Sequence, residues 1–175
     1  MDYGLVMNII FAAASSISEQ TLIALTKLDH NIVAVLTQPD KLTGRGLKKT
    51  KNSIKCLAEK LGLSVLTYRS LSNPQAYKTI KKLTPDLLIT MAYGGHIPSK
   101  ILKIPRIDSI NIHPSLLPLW RGASPIQSAI LNGDKKTGIC LIRMANELDA
   151  GPIFLSHEIQ ITPHDTAAIL SKRLS

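Results

Sequence analysis

Cysteine is scarce in this chain, and the scarcity narrows the reading at once. Cys56 and Cys140 stand far apart, in no C-x-x-C pair and at no metal-ligand spacing from a histidine. That excludes a disulfide-stapled scaffold and a cysteine zinc site. It predicts two reduced thiols, buried or half-buried, in a cytoplasmic protein. Aromatic residues make up only 4% of the sequence. Acidic residues are the minority charge, 12 against 21 Lys and Arg, for a net charge of +9. Such an excess favours an anionic partner, nucleic acid foremost. No apolar run is long enough to span a bilayer. The stretch MNIIFAAASS follows the acidic Asp2 and precedes the first basic residue, Lys27. It therefore lacks the basic leader of a secretory signal and reads as a buried first strand, with Met7 as a natural start. Phosphate-loop glycine patterns are missing as well: TGRG (Thr43 to Gly46) completes neither G-x-x-x-x-G-K-[ST] nor G-x-G-x-x-G. No Ser or Cys sits in a nucleophile elbow, so no covalent intermediate is expected.

What is present is an apolar fraction of 45% over 175 residues, enough for one domain with a sizeable core. Short β-branched or apolar runs alternate with amphipathic ones. Strands are predicted at Met7 to Ala14, Asn31 to Gln38, Ser64 to Tyr68, Pro85 to Tyr93 and Ile107 to His113. Helices are predicted from the S-x-x-E capping box at Ser16 and Glu19 through Leu28, from Ser53 to a stop at Gly62, and from Asn73–Pro74 to Leu83. GGHIPSKILKIP (Gly94 to Pro105) is expected to be a turn with one helical turn in it. Another helix runs from Ser124–Pro125 to Leu131 and ends at Asn132-Gly133-Asp134. TGICLIRMAN and GPIFLSHEIQI alternate as an antiparallel pair of edge strands. A last helix opens in TPHDTAAILSKRLS and has no end, so the domain is expected to be cut off there. This order calls for a Rossmann-like α/β fold: an open, mostly parallel twisted sheet with helices on both faces.

Ligands in such sheets bind beyond the carboxyl ends of the strands, and polar clusters follow several of the predicted strands. Asn111 and His113, at i and i+2, share one face of a strand. An amide donor beside an imidazole suits a carbonyl oxygen that becomes negative during attack. The alternative is a strand that simply ends, with Pro114 forcing the exit. SLLP (Ser115, Leu116, Leu117, Pro118) offers backbone amides and apolar side chains for a flat heteroaromatic ligand, or is a packed loop. Asp149, in a turn between two apolar strands, either faces a cleft or makes the turn. The segment after Gln38 carries Lys41, Arg45, Lys48, Lys49, Lys51 and Lys55 against Asp40 alone. With Gly44 and Gly46 it suits a phosphodiester backbone; otherwise it is a solvated loop.

NIHPSLLP, then RGASPIQ, then LDAGPI, in this order, resembles the folate-dependent formyltransferases. The TQPD…GRG segment (Thr37 to Gly46) is similar to the branch that formylates methionine on initiator tRNA. The resemblance runs from Met7 to the C-terminus. It implies transfer of a formyl group from 10-formyltetrahydrofolate to the amine of that methionine, without a metal. It also implies that Asn111 holds the oxyanion, that His113 stabilises it and moves protons, and that Asp149 orients His113 and assists proton removal. Ser115 to Pro118, with Tyr93, Gly94 and Ile97, would line the folate pocket. Arg45, within Gly44 to Gly46, would contact the tRNA with Lys48, Lys49 and Arg121. Two departures stand out. Ala13-Ala14-Ser15 replaces the family's Gly-Thr-Pro, which predicts an altered first turn. Gly95-His96 replaces apolar residues, which predicts weaker folate binding. The family branch carries a further tRNA-binding domain, which this chain is expected to lack, so weak tRNA affinity is expected of a monomer. A nucleotide-sugar amine or glycinamide ribonucleotide as acceptor, and an inactive folate- or RNA-binding fragment, are the competing readings.

Overall fold

The computed structural model describes residues 5–43 and 47–175. Two compact units emerge, Met1–Ser109 and Ile110–Ser175. In chain order, the first holds β1 (Asn8–Ala13), α1 (Glu19–Leu25), β2 (Asn31–Thr37), β3 (Lys41–Thr43), β4 (Lys48–Thr50), α2 (Ser53–Lys60), β5 (Val65–Thr67), α3 (Pro74–Lys82), β6 (Leu87–Met91) and α4 (Ser99–Leu102). The boundary falls within β7 (Asp108–His113), and the second unit continues with α5 (Pro125–Leu131), β8 (Lys136–Arg143), β9 (Ile153–Gln160) and α6 (Ala167–Arg173).

In the first unit β1 pairs in parallel with β2 on one side and β6 on the other, and β2 pairs in parallel with β5. The chain steps outward from β1 to β2 to β5, then crosses back to β6. With right-handed crossovers, that reversal puts α3 on the sheet face opposite α1 and α2. Accordingly α1 packs with α2, and α3 with α4. Strands covered on both faces need continuous apolar runs. Ile9, Ile10, Phe11, Ala12, Ala13 and Leu36 are each 0–1% exposed and supply them.

The expected helix from Ser16 is corrected. Ser16–Ser18 forms a single 3-10 turn, α1 begins only at Glu19, and no side chain caps either start. The Ser18 hydroxyl donates instead to the Met91 carbonyl at 2.7 Å, tying the first turn to the end of β6. Ser18, at the N-cap position of α1, thus spends its hydroxyl on this tertiary bond and makes no local cap. Ala13, Ala14 and Ser15 all avoid the left-handed region, so the turn needs no glycine. The basic loop is corrected too: β3 and β4 pair as an antiparallel ribbon. Gly44 to Gly46 lie outside the described residues. Cys56 is exposed rather than buried, and Cys140 is buried. The α2 and α3 helices open as expected. The Asn52 side chain accepts from the Lys55 amide at 2.9 Å, and the Asn73 side chain accepts from the Gln75 amide at 2.8 Å.

Asp86, 4% exposed, staples the unit together. Its carboxylate accepts from the Asn8 amide at 2.8 Å and from Arg106 Nε at 2.5 Å. The Asn8 amide, and after it Arg106, holds the Asp86 carboxyl below the ordinary carboxylate range. A folded-state value below the unfolded one, about 3.9, adds stability that is present above that pH and lost as pH falls through the depressed value. Chemical denaturation of the wild type from pH 6 to pH 2 is expected to show a steeper acid loss than Asp86→Asn. Parallel acid limbs would refute the staple.

In the second unit β7, β8 and β9 run antiparallel. Asn111 lies opposite Ile142, and His113 opposite Cys140. The α5 and α6 helices pack on each other, over Ile126, Ala129, Cys140, Ile142 and Leu170, all buried. Thr166 caps α6 through the Ile169 amide at 3.3 Å, and Arg173 pairs with Asp165. The α5 helix starts at Pro125 as expected, but without a side-chain cap from Ser124.

Candidate active site

Asn111 and His113 project from one face of β7 because residues two apart on a strand share a face. Asp149 reaches them from the turn between β8 and β9, where it adopts a left-handed φ of 50°, a conformation Asp tolerates better than most residues. Its Oδ1 accepts from Asn111 Nδ2 at 3.1 Å, and its Oδ2 accepts from the Gly122 amide at 2.9 Å. His113 Nδ1 stands 3.4 Å from the same Oδ2, with both side chains nearly buried, at 4% and 6% exposure. His113 Nε2 lies 2.9 Å from the carbonyl oxygen of Trp120. The sequence therefore named three residues that the second unit brings into one hydrogen-bonded cluster. Gly122 was not named. Its φ of 98° is a glycine conformation, and it aims the peptide N–H at Asp149.

The loop between β7 and α5 is pinned along its length. The Ser115 hydroxyl, fully buried, donates to the Leu119 carbonyl at 2.6 Å. The Leu117 amide meets Cys140 Sγ at 3.4 Å, and the Leu117–Pro118 bond is cis. Leu116 and Leu117 are half-buried and Pro118 is exposed. Ser115 is thus committed to the loop itself, while the leucines keep partly accessible apolar surface. Arg121 is exposed and pairs with Glu147 at 3.5 Å.

Within the first unit a cleft of about 330 Å³ opens at the carboxyl ends of β1, β2 and β6. Ala14, Ser15, Gln38, Asn52, Tyr93 and Gly94 line it, with Lys41 and Lys51 at its rim. Tyr93 and Gly94 were expected at a site; Ile97 is not part of the cleft wall and is 8% exposed. Gln38 and Asn52 were missed. Gln38 Nε2 donates to the Tyr93 carbonyl at 3.2 Å, and Asn52 Nδ2 donates to the Gln38 carbonyl at 3.0 Å. Burial pushes the Tyr93 hydroxyl above its ordinary range, against a hydrogen bond from Gln38. A Cβ at Gly95 would stand 2.5 Å from Gln38 Nε2, so the apolar side chain expected there has no room while Gln38 holds its place. His96 is exposed. On the ribbon Lys48 and Lys49 are exposed. Asp40 is held below the carboxylate range first by its hydrogen bond with Lys55, 2.6 Å away. Arg45, Gly44 and Gly46 lie outside the described residues. Among the described residues no cluster of His, Cys, Asp or Glu is arranged to hold a metal ion, and no helix is long and apolar enough to cross a membrane.

A family model described as formyl transferase matches residues 6–175. The chain belongs to the formyl transferase family. Among curated relatives, it is 45% identical over 172 residues to a methionyl-tRNA formyltransferase of Francisella tularensis, covering 97% of this chain. It is 43% identical over 168 residues to that of Nitrosospira multiformis and 41% identical to that of Thermotoga maritima, each covering 96% of this chain. The chain spans 54% of each of these relatives. Among solved structures, a phosphoribosylglycinamide formyltransferase from Bacillus halodurans superposes with a TM-score of 0.78 at 20% identity, covering 95% of this chain and 87% of that one. A formyltetrahydrofolate deformylase from Pseudomonas syringae pv. tomato gives 0.75 at 19%, covering 98% and 59%. At such identities the likeness establishes the fold, the Rossmann-like α/β sheet of the formyl transferase family expected from the sequence.

Proposed function

We propose that the chain transfers a formyl group from 10-formyltetrahydrofolate to the amino group of methionine on initiator tRNA. The observation that carries the reading is the Asp149 carboxylate, bonded to the Asn111 amide through one oxygen and facing His113 Nδ1 with the other. The names of the relatives support the acceptor.

The chemistry follows from the donor set. In the overall exchange, the amine nitrogen forms a bond to the formyl carbon, the bond from that carbon to N10 of the folate breaks, and one proton passes from the amine to N10. Asn111, a two-donor amide whose plane is fixed by Asp149, serves the formyl oxygen as charge develops on it. His113, nearly buried and held at both ring nitrogens, stabilises that charge when its ring carries both protons. Asp149 takes the amine proton and returns it toward N10, the role of a positioned general base and acid. Leu116 and Leu117 offer apolar surface for the pteridine. The folate contacts assigned to Ser115, Pro118, Tyr93, Gly94 and Ile97, and the tRNA contacts assigned to Arg45, Lys48, Lys49 and Arg121, are part of the same proposal.

The test mixes the purified chain with 10-formyltetrahydrofolate and methionyl initiator tRNA, measures formyl-methionine, and repeats with Asn111→Ala. Formation in the wild type and loss of about a hundredfold or more in the variant is expected, the scale of a lost oxyanion donor. Transfer to a nucleotide-sugar amine or to glycinamide ribonucleotide in place of the tRNA would overturn the acceptor. No transfer to any amine would overturn the activity.

A further inference from the structure

His113 is held between two acceptors. A carbonyl oxygen has no proton to give, so at the 2.9 Å contact with Trp120 it is Nε2 that donates. In a neutral ring the shorter contact selects the Nε2–H tautomer, and in a doubly protonated ring Nδ1–H faces Asp149 Oδ2 at 3.4 Å. The carbonyl that dictates this belongs to Trp120, whose φ of 57° is an outlier for a bulky side chain. Such a conformation persists only where the surroundings over-determine it. Here they do. Trp120 Nε1–H donates to Asp134 Oδ2 at 2.6 Å. Asp134 is itself fixed at the end of α5: its Oδ1 accepts from Asn132 Nδ2 at 2.6 Å, and its amide donates to the Ala129 carbonyl at 3.0 Å. On the preceding residue, the Leu119 carbonyl is held by Ser115.

We infer that Trp120 and Asp134 are positioning residues for His113. Asp134 anchors the indole, the indole keeps the Trp120 backbone left-handed, and the Trp120 carbonyl binds Nε2–H. Nδ1 is therefore the ring nitrogen placed to exchange a proton with Asp149, which carries it between the amine and N10. This rests on the reading of His113 as a working group, but the tautomer is a property of the resting protein and does not depend on turnover.

The experiment uses the full chain labelled with 15N-histidine. Long-range proton–nitrogen correlation identifies His113 among the five histidines by the signal lost in His113→Gln. The expected wild-type spectrum has a protonated Nε2, alone or in a doubly protonated ring. Trp120→Phe, which removes one N–H and keeps an aromatic ring, and Asp134→Leu are each expected to yield mixed tautomers. Their kcat is expected to fall about tenfold to a hundredfold, the cost of a misplaced group, with KM for the formyl donor unchanged. Asp134→Asn keeps an acceptor for the indole and is expected to restore both readouts. An Nδ1–H-only ring in the wild type, or an unaltered His113 spectrum in folded Trp120→Phe, overturns the inference. If the wild type transfers no formyl group, the spectra still decide, and only the functional reading falls.

Discussion

Asp149→Asn is expected to abolish formyl transfer while leaving the protein folded. The carboxylate does two jobs that an amide cannot do together. Its two oxygens accept from Asn111 Nδ2 and from the Gly122 amide, and Oδ2 also faces His113 Nδ1. An asparagine side chain has one acceptor oxygen and an NH2 group. Whichever way it is turned, a donor meets a donor at one partner, and no base remains to take a proton. A fall in kcat of about 10²- to 10⁴-fold is expected, the range of a lost general base. Stability should change little, by about 1–2 kcal/mol for one mismatched hydrogen bond, because asparagine also tolerates the left-handed φ of 50° found here. Asp149→Ala is the contrasting variant. It loses the same activity, but it also orphans two donors and forces alanine into a conformation that costs about 1–2 kcal/mol. The check is single-turnover transfer beside thermal denaturation of both variants. An Asp149→Asn enzyme within tenfold of the wild type would remove Asp149 from the chemistry.

Asp149 also shows which part of the site can be read from sequence. Strand periodicity puts Asn111 and His113 on one face, but a strand that simply ends accounts for that pair better when it stands alone, and the motifs around it carried the assignment. The place of Asp149 came from a motif match, not from any local rule; a carboxylate in a turn has many purposes. Gly122, Trp120 and Asp134 were not legible as part of the site at all. Their roles depend on a positive φ, a peptide carbonyl and an indole bond across a loop, none of which leaves a periodic signal. The fold was more legible than the site because burial on both faces writes continuous apolar runs into β1 and β2. Failures came where a tertiary bond beat a local one. Ser16 falls in a 3-10 turn, and Ser18 at the head of α1 bonds Met91 in place of a local cap. In the ribbon, Lys41, Leu42 and all of β4 are exposed, so its sequence carries charge in place of alternation.

Gly151→Ala is the substitution expected to damage the second unit most. The chain turns through Asp149, Ala150 and Gly151 before entering β9, and Gly151 passes directly against the end of β8. A Cβ built there would lie 1.8 Å from the Arg143 carbonyl oxygen and 2.9 Å from its carbon. Both atoms are backbone, so no side chain can swing aside. The same place is clipped by the Arg143 amide, which donates to the Pro152 carbonyl at 2.9 Å. To fit a methyl group, this clip must open and the β8–β9 pairing must part at Ile142–Ile153, beside the register shift already present there. Overpacking of this kind costs about 1–3 kcal/mol, occasionally more. The larger effect is on the site: Asp149 stands two residues away, and a displacement of about 1 Å costs on the order of a hundredfold in rate. Hydrogen exchange checks the mechanism directly. Loss of protection should be greatest at the Arg143 amide, fall off along β8, and spare β1, β2 and β6 in the other unit. Full activity with a protected Arg143 amide would mean that the turn has another way to accept the methyl group, and that Asp149 does not owe its position to this close approach.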